Sequence, residues 1–90
     1  MKEHFKKLLE EIYGPERVAE DGVGVILHDP FFAPDHETYF VPVRGGMVVV
    51  KKWGDRADVW TMTENQVKRV AGSGSIPIWA LALYRLYANA

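Results

Sequence analysis

The chain reads as an α+β domain, an antiparallel four-stranded meander with one helix before it and two after, in the order α-β-β-β-β-α-α. Three observations lead there. Apolar residues near the N-terminus recur at helical spacing. The middle of the chain is a succession of short β-branched and aromatic runs broken by glycine. A Gly-Ser linker then separates two further segments with helical character. The length, 90 residues, is that of one domain spanning 1–90.

The first element covers residues 2–13, KEHFKKLLEEIY, where Phe5, Leu8, Leu9 and Ile12 stand at the i, i+3, i+4, i+7 positions of one helical face. Lys and Glu occupy the other face, with Glu3–Lys7 and Lys6–Glu10 placed for weak ion pairs. Gly14-Pro15 ends the helix, since a Gly suits the position past the last turn and a Pro cannot continue it.

Four strands follow: VGVILH (23–28), TYFVPV (38–43), MVVVKKW (47–53) and DVWTM (58–62). The second and third form a hairpin around Arg44-Gly45-Gly46. A two-residue Gly-Gly loop would put Pro42 at a ladder position that needs its missing N–H. A three-residue loop with Gly46 at positive φ instead sets Pro42 opposite Val48, and is the arrangement expected. Gly54-Asp55-Arg56 turns the chain into the fourth strand.

Thr63-Glu64-Asn65-Gln66 has the Thr-x-x-Gln form of a capping box, which predicts a helix over 63–71 with Val67 and Val70 facing inward and Gly72 at its end. After the linker 73–75, Pro77 sits in the first turn of a last helix, 77–88. That helix is apolar almost all round, through Ile78, Trp79, Leu81, Leu83, Tyr84, Leu86 and Tyr87, with Arg85 its one charge. Such a helix is either central to the core or shared between core and interface.

Composition narrows the function. The chain is 48% hydrophobic and 12% aromatic, enough to fold alone with apolar surface left for a contact. It has no cysteine, which excludes disulfides, thiolate metal sites and a Cys nucleophile. The net charge of −1 hides an asymmetry. Residues 16–37 carry six acids against Arg17, a balance of −5, and residues 44–69 carry six bases against three acids, a balance of +3. Met1 leads into a charged amphipathic segment without a signal-like apolar stretch, and the longest apolar run, 76–84, is too short to span a bilayer. The expectation is a cytoplasmic protein that does not engage membranes.

Catalytic chemistry has little to stand on. Residues 28–37, HDPFFAPDHE, gather His28, Asp29, Asp35 and His36, donor types suited to zinc or a non-haem metal, and Glu37 adjoins them. No spacing there is diagnostic, and Pro30 and Pro34 fit a structured turn with Phe31 and Phe32 tucked onto the sheet. Metal-dependent activity at His28 and His36 is the third-ranked reading. The serines lie only in the linker, where Gly-Ser-Gly-Ser could cradle a phosphate on backbone N–H groups, but no Lys follows as in a phosphate loop. No cofactor is expected.

Binding is better supported. Asn65, Gln66, Lys68 and Arg69 on the predicted helix 63–71 are side chains that read base edges and grip phosphates. The stretch VKRVAGSGSIPIWALALYRL (67–86) resembles the end of phage-repressor-type helix-turn-helix domains, in which a recognition helix meets a Ser-Gly turn and an Ile-Pro-x-Trp-Ala-x-x-Leu helix follows. The similarity covers about a fifth of the chain, and residues 38–62 read as strands where that family has its first helices. The resemblance implies DNA contacts from those four residues and makes nucleic acid the second-ranked partner. The first-ranked reading is a non-catalytic module that binds another protein or a second copy of itself, a regulator or inhibitor of the kind phages and mobile elements encode. Its expected interface is Trp79, Leu83, Tyr84 and Tyr87 of the last helix with Trp60, aromatic types enriched at binding hot spots.

Overall fold

The computed structural model describes residues 2–28, 36–64, 66–76 and 78–89. Helix α1 spans Lys2–Tyr13, where the sequence places it, and stops at Gly14, whose φ of +94° lets its N–H return to the Glu10 carbonyl at 2.9 Å. A single 3-10 turn, Pro15–Arg17, leads into the sheet. Six strands follow: β1 Val18–Glu20, β2 Val25–His28, β3 His36–Val43, β4 Gly46–Trp53, β5 Arg56–Thr63 and β6 Val67–Ala71. They lie in sequence order, each antiparallel to the next, and α2 (Ile78–Ala88) closes the chain.

The meander and the α+β class therefore stand, but the expected four strands and two C-terminal helices do not. Residues 67–71, expected in a helix, form β6, and three residues after the first helix form β1. The capping-box pattern at Thr63 serves a different end. The Thr63 N–H donates to the Gln66 carbonyl at 2.8 Å and closes a hairpin onto β5. A nine-residue helix with two valines cannot be stable without packing. The bare edge of β5 offers a ladder instead, and Val67 pairs with Met62 and Lys68 with Thr61 along it. Val67 and Val70, expected inward, are exposed.

The β3–β4 loop also differs from expectation. It is Arg44-Gly45, with Gly45 rather than Gly46 at positive φ (+79°), and Pro42 faces Met47 rather than Val48. Gly46 instead pairs with Val43 on one side and with Thr63 of β5 on the other, where a Cβ would collide with the Met62 carbonyl, so only glycine fits that ladder position. Pro42 still escapes the need for a donor. Its pair is the non-bonded one beside a two-residue loop, and β2 ends its pairing at Val25–Phe40, short of Pro42.

Strand alternation sends Val25, Leu27, Thr38, Phe40, Met47, Val49, Trp60 and Met62 to one face. Both helices cover that face, α1 through Phe5 and Leu9 and α2 through Ala80, Leu83 and Tyr84. The Phe5 ring tilts against Phe40 at 4.9 Å and meets Tyr87 edge-on at 5.2 Å, which joins α1, sheet and α2 at one point. Lys6 turns away from Glu10 to Glu20 of β1 at 3.3 Å, with Lys2 beside it at 3.6 Å, so these lysines anchor the helix to the edge strand.

Candidate protein-binding surface

The second face of the sheet has no helix over it among the described residues. Cross-strand partners share a face, so the registers place its side chains in rows. One row runs Ile26, Tyr39, Val50, Val59 across β2 to β5, and the next runs Val41, Val48, Thr61, Lys68 across β3 to β6. Ile26, Tyr39, Val41, Val48, Val50, Val59 and Thr61 are all half-buried, and no described helix packs on them. An antiparallel strand with one wet face ordinarily alternates apolar and polar residues. Here β4 reads Met-Val-Val-Val and β3 reads Tyr-Phe-Val-Pro-Val, the pattern of strands buried on both sides.

The rim of this face is charged. Below the aliphatic rows lie His28, Glu37 and Lys52, with the His28 imidazole 3.8 Å from the Glu37 carboxylate. At the β6 edge stands Lys68, and at the β1 edge Asp21, whose N–H donates to the Gly24 carbonyl at 3.1 Å. The Asp21 carboxylate is tightly held. Tyr39 donates its hydroxyl to it at 2.6 and 2.7 Å, and the Val23 and Gly24 N–H groups donate at 2.7 and 2.9 Å. The phenol bond first, then the two backbone donors, lower the Asp21 pKa from 3.8 to about 2, and the same bond raises that of Tyr39. Tyr39 can reach across because Gly24 has no side chain, as a Cβ there would strike the Phe40 carbonyl and crowd the Tyr39 ring.

The residues expected to form a protein interface are placed inward. Trp60, Leu83 and Tyr84 are buried in the core, and Trp79 and Tyr87 are half-buried against it. What α2 shows outward is Ile78, 85% exposed, Leu86, 53% exposed, and Ala82 and Arg85 between them. Of the expected DNA-contacting residues, Lys68 and Arg69 lie on the edge strand β6 and Gln66 just before it, rather than on a helix. Lys68 joins the open face, and Arg69 points to the other side, donating to the Ser73 carbonyl at 3.1 Å. Gln66 is exposed, and Asn65 lies outside the described residues.

The two histidines expected as metal ligands are not brought together. His28 pairs with Glu37 on the open face, while His36, one residue before Glu37, is on the helix-covered face with its ring 4.8 Å from that of Trp53. The sheet separates the two imidazoles, and Asp29 and Asp35 lie outside the described residues. No group of three or more metal-ligand side chains occurs among the described residues. The Gly-Ser-Gly-Ser linker does form an anion cradle, but for a group of its own chain. Ser73 and Gly74 give their N–H groups to Asp58 Oδ1.

The open face is not among the surfaces expected from the sequence. Its signal was the lack of alternation in 39–43 and 47–50. A scan against protein-family models and searches of curated proteins and of solved structures found no match for this chain.

Proposed function

We propose that the chain is a non-catalytic protein-interaction module whose contact surface is the open face of the sheet. One observation carries this reading, the continuous block of five aliphatic side chains with Tyr39 and Thr61 across β2 to β5 that no described helix covers. At about 4.8 Å between strands and 3.3 Å per residue, the six-stranded face projects roughly 600 Å², and a standard protein contact takes about 800 Å² per partner. The surface is therefore of the right size to hold a partner with its own apolar patch.

The sheet edges are poorer routes. α1 and its lysines lie along β1, and β6 is short, carries Lys68 and Arg69, and has a bulge opposite Val59/Trp60. Those are the devices that discourage strand addition. Association through the face rather than an edge suits a regulator or inhibitor that acts by occupying its target. We take it to be cytoplasmic; no helix among the described residues is long and apolar enough to cross a membrane.

Affinity capture from the source cells, with and without nuclease, tests the reading when wild type is run beside Val48→Lys and Ile78→Lys. A protein retained after nuclease by wild type and Ile78→Lys but lost with Val48→Lys is the expected result. Capture that nuclease abolishes would point to nucleic acid and overturn it.

A further inference from the structure

Resting on that reading, we infer that the open face is built to meet a second copy of itself, related by a two-fold axis parallel to the strands and passing between β3 and β4. Such an axis lays β3 of one copy over β4 of the other, β2 over β5 and β1 over β6. Two sheets packed face to face keep their strands within about 30° of each other, which this axis permits.

The charges on the face select it. Glu37 and Lys52 are direct neighbours on either side of the axis, so each copy's Glu37 lies over the other's Lys52, twice per dimer. Asp21 and Lys68 stand at opposite ends of one row, through Gly24, Val41, Val48 and Thr61, so they too are exchanged across the axis. Between these charges, Val41 falls on Val48, Ile26 on Val59 and Tyr39 on Val50, apolar against apolar throughout. A two-fold axis across the strands would instead set Glu37 and Lys52 against the Val43–Gly46 end and leave their charges unmatched. A face that returns its own complement under one rotation is what an isologous dimer requires. The contact is also of the size estimated above, and the meander order reinforces it by placing Glu20 and Asp21 at one side of the sheet and Lys68 and Arg69 at the other.

Sedimentation equilibrium over a concentration series, with charge-swapped variants, tests the arrangement. Wild type should reach twice the mass of one chain. Glu37→Lys and Lys52→Glu, each placing like charges across the axis at two points, should each weaken self-association at least about tenfold. An equimolar mixture of those two variants should recover a one-to-one complex, because each then supplies the charge the other lacks. The double variant Glu37→Lys/Lys52→Glu should self-associate as wild type does. Circular dichroism checks that each variant is folded. A wild type that stays monomeric at every concentration, or a mixture no tighter than its separate components, overturns the dimer. In that event the interaction reading survives only if Val48→Lys still abolishes capture of a different protein, and both fall if it does not.

Discussion

Asp58 of β5 accepts the N–H groups of Ser73 and Gly74 on one carboxylate oxygen, at 2.9 and 3.3 Å. The linker that resembles a phosphate cradle in sequence is thus occupied by the chain's own carboxylate, which ties the approach to α2 down onto the sheet. Arg69 donates to the Ser73 carbonyl from β6 and completes the tether.

This tether depends on Gly72. Its φ is +85°, and a Cβ there would run into the Asp58 carboxylate. Gly72→Ala should therefore lower unfolding free energy by about 1–3 kcal/mol in urea denaturation. Gly22→Ala, which meets nothing within 4 Å and keeps an ordinary φ, should stay within about 0.5 kcal/mol of wild type.

Two leucines three positions apart on α2 should behave very differently. Leu83 is buried in the core cluster and Leu86 is half in water. Leu83→Ala should destabilise by about 2–5 kcal/mol, and Leu86→Ala by well under 1 kcal/mol, in the same unfolding measurement. Equal effects would mean that α2 presents a different face to the sheet.

Acid stability should carry the mark of Asp21. Its pKa is depressed in the folded state, so its contribution is complete above the ordinary value of 3.8 and is lost as pH falls from there toward about 2. Tyr39→Phe removes the largest cause of that depression and should make the loss of stability over this window shallower, as followed by circular dichroism. Tyr39 titrates in the opposite sense. Raised above 10, it contributes below that pH and loses its contribution as the solution becomes more alkaline.

Where local signals agreed with packing, the sequence was readable. The spacing of Phe5 and Leu9 and the Gly14-Pro15 stop define α1, and the four long apolar runs are β2 to β5. The elements that escaped are those whose structure depends on a distant neighbour. β6 exists because β5 had an unpaired edge, and β1 because Val18 can sit opposite Leu27. The hairpin loop differs by one residue because Gly46 is taken into the ladder opposite Thr63 of β5, a pairing no local pattern reports. The candidate site was half legible. An apolar surplus is visible in composition and points to α2, but α2 gives Leu83 and Tyr84 to the core and packs Trp79 and Tyr87 against it, and the valines of the sheet carry no local signal of their own beyond the missing alternation.

The contact surface itself is most directly tested by methyl NMR of the native protein at high concentration with a water-soluble paramagnetic probe. The open-face dimer predicts that the methyls of Val41, Val48, Val50 and Val59 are shielded from the probe and become accessible on dilution, while Ile78 and Leu86 are accessible throughout. Valine methyls as accessible as Ile78 at every concentration would contradict the dimer, and shielding that falls on Ile78 and Leu86 instead would contradict the open face as the contact surface.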